Sequence, residues 1–478
     1  MHIYNMINTT LFLMLISSSW VVAQTPNHQN IAQAAGYKAM FTCSATFKAG
    51  KSKDLIAAHE LTNIYQSATK AMKHTGKTMI NHADKYVSVS YSENLPPRIS
   101  AWRPYLGCTS LPQGADIDFI ARLPRAKLKT PKPNQADIMW PDGDRLPNTP
   151  LPKTVNQAGL EAVINKAFGQ EFDGGGFGGA TSAVLITQNS RIVGEKYLGG
   201  YTLHTSQRTW SVAKSIAASI IGAAQHKGYI DIKQTTGLKA WSRAGDPRGD
   251  ITVEHLFHMS SGLDSRPAGN RTDNIYLGGG LVAQYATKNQ IEARPGTRWR
   301  YANNDTMLAM RTLRENMHND QKYLNFPFKA LLHKIGMFHT FPETDWDGDF
   351  VLSSQVWTTS RDLARLGQLY LNDGIWNNKR ILPKGWADYV ASPAPAQPAN
   401  RQGDKAGKHG RGYGAQFWLY ENYPGVPEGT YAALGNRGQF VIIVPSRKVV
   451  IVRRGYDYSG QRFNGPAFTA EVLKNLSQ

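Results

Sequence analysis

A serine hydroxyl becomes a nucleophile when a base is held beside it, and the run Trp210-Ser211-Val212-Ala213-Lys214 offers that pairing. It opens a small and apolar stretch (Ile216, Ala217, Ala218, Ile220, Ile221, Ala223, Ala224) closed by Gly228, which reads as a buried helix. Residues three apart share one helix face, so the Lys214 amine can reach the Ser211 hydroxyl. The positive end of the helix dipole lies where the oxyanion of an acyl transfer would form. Burial disfavours an ammonium, and that is how such a lysine becomes a base near neutral pH. A second string, Tyr301-Ala302-Asn303, follows the turn Pro295-Gly296 and leads into the apolar positions Met307, Leu308 and Met310, so its side chains can sit on a loop at a lobe boundary.

Both strings recur, so context must separate the copies. Ser67-Ala68-Thr69-Lys70 repeats the Ser-x-x-Lys spacing inside an amphipathic pattern rather than at a helix start, and reads as surface. Tyr-x-Asn also occurs at Tyr323, Tyr370 and Tyr420. His255 and His258, with Asp264 nearby, have a spacing that could hold a metal, but a zinc hydrolase needs a third protein ligand and a general base. No Gly-x-Ser-x-Gly occurs, which excludes a lipase-type nucleophile elbow. The Gly-rich loop Gly174–Gly179 lacks the Gly-Lys-Ser/Thr ending of a phosphate-binding loop and reads as a connector.

The elements that must position these residues belong to a large chain. At 478 residues, one large domain plus an appendage is expected, and 41% hydrophobic residues supply a sizeable core. The helix pattern Leu160–Phe168 precedes a hairpin, Ser182–Thr187 with Arg191–Tyr197. Residues 211 to about 395 are mostly helical with long loops. Strands return at Gly414–Tyr420, Thr430–Leu434, Gln439–Val444 and Val449–Arg453, before a closing helix at Pro466–Leu476. The fold class is therefore α/β of the α+β kind: strands from both ends of the chain form one antiparallel sheet flanked by helices, and the helical middle is a separate lobe.

Residues 1–23 hold no Asp, Glu, Lys or Arg but carry an apolar run too short to span a bilayer, and read as a signal peptide. Residues 24–150 read as an N-terminal accessory region, with a helix over 53–74, a strand over Tyr86–Tyr91, and a Pro-rich linker or strap (Pro131, Pro133, Pro141, Pro147, Pro150). The hydrolase domain takes 151–478. The two cysteines, Cys43 and Cys108, suit a disulfide in an oxidising compartment, so a periplasmic or secreted protein is expected, with no membrane segment once the signal is removed. The formal charge of +19 comes from scattered residues, a solvated basic surface rather than a nucleic-acid footprint.

These motifs together resemble the family of class C β-lactamases, DD-peptidases and related esterases, and within it most closely the 6-aminohexanoate-dimer hydrolase type. The likeness rests on Ser211-Val212-Ala213-Lys214, on His255-Leu256-Phe257-His258-Met259-Ser260-Ser261-Gly262-Leu263, on Pro295-Gly296 leading to Tyr301-Ala302-Asn303, and on Leu434-Gly435-Asn436-Arg437-Gly438-Gln439 before a strand. It covers roughly residues 155 to 478 and implies a β-lactamase/transpeptidase-like fold. It further implies that Ser211 attacks a carbonyl, that Lys214 and Tyr301 relay its proton, with Lys214 lowering the phenol's pKa, and that Asn303 orients substrate or lysine. Backbone N–H groups of Ser211 and Asn436, after Gly435, would form the oxyanion hole. No cofactor and no metal is expected.

One departure redirects the substrate. Where β-lactamases carry Lys or His, then Thr or Ser, then Gly, this chain has Ala433-Leu434-Gly435, so the cation that meets a β-lactam carboxylate is missing. Arg437 is the nearby residue that could stand in. The expectation is a serine hydrolase acting on small esters or amides, linear oligoamides included. The rivals are β-lactamase or DD-peptidase activity on wall peptides, and a non-catalytic wall-peptide or partner-binding protein of the same fold.

Overall fold

Strand alternation divides the core in two. A computed structural model describes residues 27–64, 66–128, 133–169, 176–265, 273–398, 411–420, 422–458 and 461–476. The expected signal peptide, part of the Gly-rich loop and much of the loops 264–280 and 391–412 lie outside the described residues.

The N-terminal region opens with α1 (His28–Phe47), followed by a four-stranded antiparallel sheet, β1 (Thr78–Asn81), β2 (Tyr86–Val89), β3 (Arg98–Arg103) and β4 (Gly107–Ser110), paired in chain order. A disulfide joins Cys43 of α1 to Cys108 of β4, with the Cα atoms 6.2 Å apart. The helix expected over 53–74 is two, Lys53–His59 and Gln66–Met72. Asn63 between them is left-handed, at φ +52°, and no helix continues through such a residue.

The larger sheet begins with the hairpin β5 (Thr181–Gln188) and β6 (Arg191–Tyr197). Its remaining long strands come from the far end of the chain: β7 (Tyr431–Gly435), β8 (Gln439–Val444) and β9 (Val449–Gly455). All seven strands are antiparallel, in the order Gly412–Tyr413, Trp418–Leu419, β7, β8, β9, β5, β6. The strand expected over 414–420 is thus split into two short ones, because Gln416 is left-handed at φ +63°.

Successive side chains point to opposite faces. Val184, Ile186, Ile442, Val444 and Ile451 join one apolar cluster with Leu160, Ile164 and Phe468 of the helices Gln157–Ala167 and Gly465–Lys474. Leu185, Val441, Ile443, Val450 and Val452 join the other, which holds α2 (Val212–His226), α3 (Asn303–Met317) and the helix Ser360–Leu371. A Cβ on Gly367 would come within 2.5 Å of Val450, so that helix lies on the sheet only because it has glycine there.

Residues of α1 (Tyr37, Met40, Phe41) share this second cluster with Ile216 and Ile220 of α2. The Pro-rich segment is a strap fastened by Arg365, which donates to the carbonyls of Pro141 (2.7 Å) and Gly143 (2.6 Å) and to Asp144 Oδ1 (2.8 Å). Among the described residues no helix is long and apolar enough to cross a membrane.

Candidate active site

Ser211 is the N-cap residue of α2, and its side chain makes no capping bond, which leaves the hydroxyl at the positive end of the helix for other work. A short sheet delivers it: Gln207–Arg208 pairs with Val356–Thr358, and the Thr209 N–H donates to the Val356 carbonyl at 2.8 Å. The turn before Ser211 and the loop at Ser353 therefore arrive together. Trp210, just before Ser211, is held at φ +50°, a left-handed conformation that strains a residue with a Cβ.

Lys214 lies one turn inside α2 and is 1 % exposed. Its Nζ is 3.4 Å from Ser211 Oγ and donates to Asn303 Oδ1 at 2.6 Å and to the Ser353 carbonyl at 2.8 Å. Burial lowers its pKa from 10.5 to about 7, opposed by the negative field of Asp305. Asp305, in the first turn of α3, is raised to about 7 by the same burial, and accepts from Ser261 Oγ at 3.1 Å. The site thus holds a buried amine and a buried carboxyl poised at similar pH.

Tyr301 stands just before α3, inside an aromatic group made of Trp299, Tyr413 and Trp418; its ring stacks on Trp418 with centroids 5.7 Å apart. Its phenol hydrogen-bonds Ser211, and Lys214 Nζ lies 4.8 Å from its ring centre. The expected lowering of the phenol's pKa by Lys214 is not met. Burial pushes Tyr301 well above the usual phenol range, and the hydrogen bond with Ser211 opposes it only in part. The lysine, not the tyrosine, is the group near neutrality.

The segment from Leu434 to Gln439 approaches from the end of β7. A Cβ on Gly435, at the end of β7, would meet the Thr209 carbonyl at 2.3 Å, so only glycine lets this strand touch the turn that leads to Ser211. A cleft of about 430 Å³ opens there, lined by Trp210, Leu434, Gly435, Asn436, Arg437 and, from the N-terminal region, Asn63 and Ile64. Arg411 and Arg462 stand on its wall. Arg437 is turned away from the role of substitute cation: its Nη1 donates to the His59 carbonyl at 2.5 Å, and the residue is 5 % exposed.

The structure therefore brings Ser211, Lys214, Tyr301 and Asn303 together and puts Gly435 and Asn436 at the adjoining cleft. It adds Ser353, Asp305 and Ser261. A backbone carbonyl such as that of Ser353 has no sequence signature, but an aspartate in the first turn of an apolar helix, two residues past Asn303, could have marked Asp305. The other copies of the motifs do different things: Lys70 is exposed, and the Tyr370 hydroxyl bonds Ser219 in the core. His255 closes a capping box with Thr252, and burial lowers His258 to about 4. Asp144, His204 and His339 lie at metal-binding separations, but the Asp144 carboxylate is already paired with Arg365.

Residues 164–453 match the family model described as Beta-lactamase. The chain is 24% identical over 291 residues to a 6-aminohexanoate-dimer hydrolase of Paenarthrobacter ureafaciens, which spans 57% of this chain and 72% of that relative. Among solved structures it is similar to EstCE1, a hydrolase with promiscuous acyltransferase activity (TM-score 0.52, 15% identity, 68% of this chain and 99% of that one). It is similar too to a penicillin-binding protein homologue from Caulobacter crescentus (TM-score 0.51, 14% identity, 68% and 98%).

Proposed function

This chain belongs to the beta-lactamase family of serine hydrolases, and on that premise we propose that it hydrolyses small esters or amides, linear oligoamides included, through an acyl-enzyme on Ser211. The observation that carries the reading is the setting of Lys214. A neutral amine has two N–H donors, and Asn303 Oδ1 and the Ser353 carbonyl accept both, which leaves the lone pair for the Ser211 hydroxyl.

In the proposed sequence Lys214 takes the Ser211 proton as Oγ bonds to the substrate carbonyl carbon. The resulting oxyanion is met by the Ser211 and Asn436 N–H groups, each worth about 3 kcal/mol in comparable sites. Tyr301 stays protonated before attack. As the carbon–leaving-group bond breaks, the phenol gives its proton to the departing oxygen or nitrogen and regains one from the Lys214 ammonium. Water then repeats the addition with the same base and releases the acid from Ser211.

Ala433 in place of a cation argues against β-lactams, and Arg411 and Arg462 suit the free carboxylate of a linear oligoamide. The Cys43–Cys108 disulfide and the uncharged apolar stretch 1–23 support a site of action outside the cytoplasm.

The test is to incubate the protein and Ser211→Ala with p-nitrophenyl acetate and butyrate, then with nitrocefin, and to weigh the intact protein after a serine-directed phosphonate. Ester turnover and a phosphonate adduct that both vanish in Ser211→Ala, with nitrocefin turned over slowly or not at all, are expected. A folded protein that takes no adduct and turns over nothing would leave the non-catalytic binder as the better account.

A further inference from the structure

Two residues with a Cβ are held left-handed on either side of the reacting centre, and each adjoins one of the N–H groups assigned to the oxyanion. Trp210, at φ +50°, precedes Ser211; Arg437, at φ +57°, follows Asn436. Such backbone is unfavourable for side-chain-bearing residues and persists where surroundings enforce it. The N-terminal region, which lies outside the segment matched to the family, touches Arg437 directly and reaches Trp210 through Arg208.

Arg437 reaches out of the turn between β7 and β8. Its guanidinium donates to the His59 carbonyl and lies 5.2 Å from the ring centre of Tyr456, which itself stacks on the His59 imidazole at 4.4 Å. The Tyr456 hydroxyl is fixed in turn by a buried ion pair of the same region: it donates to Glu60 Oε1 at 3.2 Å, and Lys51 Nζ donates to it. On the other side, the Arg208 guanidinium lies between two aromatic rings, 4.2 Å from the centre of Phe41 of α1 and 3.7 Å from the centre of Trp210. Asn63 and Ile64 then continue from this region as a wall of the cleft.

We propose that the N-terminal region, from α1 to Ile64, is a brace for the oxyanion site: acting through Arg437 and Arg208, it holds the two left-handed residues that aim the Asn436 and Ser211 N–H groups. Arg437 and Arg208 are then positioning residues for the reaction. The inference rests on the acyl-enzyme reading above, and it gives the region a part in the rate of turnover rather than in substrate affinity.

Arg437→Ala separates the brace from the turn. Alanine keeps the cost of a positive φ while the link to His59 is cut, so nothing from the N-terminal region then holds the turn left-handed. The expected result with p-nitrophenyl butyrate is a kcat lowered about tenfold or more with KM within about twofold, since oxyanion donors act mainly in the transition state. Melting temperature should change little, and Arg437→Lys, which retains a donor toward His59, should recover part of the loss. Phe41→Leu tests the other link through Arg208 with the same readout, and it stands if Arg437→Ala does not fold. Full kcat in the folded variants, or a loss expressed wholly in KM, overturns the brace while the phosphonate adduct on Ser211 keeps the acyl-enzyme reading intact. A wild-type protein that takes no adduct overturns both.

Discussion

If Lys214 is the base, the rate must follow its titration, and the structure fixes where that falls. Moving the lysine from 10.5 to about 7 amounts to roughly 5 kcal/mol of preference for the neutral amine. An unperturbed lysine would be neutral in about one molecule in three thousand at pH 7, whereas this one is neutral in about half. Because the neutral form is the active one, kcat/KM for p-nitrophenyl butyrate should climb with pH, about tenfold per unit below 6, and level off above about 8. Between pH 7 and pH 5 the loss is on the order of fifty-fold. The limb belongs to the pair with Asp305, whose carboxyl titrates nearby. Asp305→Asn removes the negative field that favours the ammonium, so the limb should move to lower pH. The assay is a pH–rate profile of both proteins from 4.5 to 10 at constant ionic strength, with folding checked by circular dichroism at each end. A limb above pH 9 in the wild type, or an upward move in Asp305→Asn, refutes the assignment of Lys214 as base.

Asn303→Leu deletes the 2.6 Å acceptor of Lys214; a hydrogen bond to a group that becomes charged contributes about 1.5–3 kcal/mol, so kcat/KM should fall roughly ten- to a hundredfold, and an unchanged value in steady-state assays would remove Asn303 from the machinery. Replacing Cys43 and Cys108 together by serine opens a cross-link between residues 65 apart, which should lower the unfolding free energy by roughly 2–4 kcal/mol in urea titrations.

How much of this could be read from the sequence depends on whether a feature repeats along the chain or is assembled across it. The buried helix behind Ser211 was legible because every position from Val212 to Ala224 is small, apolar or part of the motif, and the hairpin of β5 and β6 because it alternates. Helix α1 was not: it is alanine-rich and buried on nearly all sides, so it shows no stripe to detect. The breaks at Asn63 and Gln416 turn on left-handed backbone, which neither residue type announces with the force of a glycine. In the site, the serine, lysine, tyrosine and asparagine carry side-chain chemistry and could be named. Ser353 contributes a main-chain oxygen, and Arg437 donates to the His59 carbonyl, a partner that only the docking of a distant region brings near.

The pairing of β5 with β9 bears on how the molecule comes into being. Gln188 sits opposite Val449, so the middle of the large sheet joins strands made early and late in synthesis. Bringing such distant segments together is slow, because the entropy of closing the intervening chain must be met before the ladder rewards it. Until then the early hairpin presents an open edge of Val184, Leu185 and Ile186, a template for pairing with another molecule. The proposed site at Ser211 is equally unfinished, since β7 can reach the Thr209 carbonyl only after the late strands dock. On the acyl-enzyme reading a nascent or truncated chain is therefore chemically silent, and the hazard it faces during that interval is aggregation.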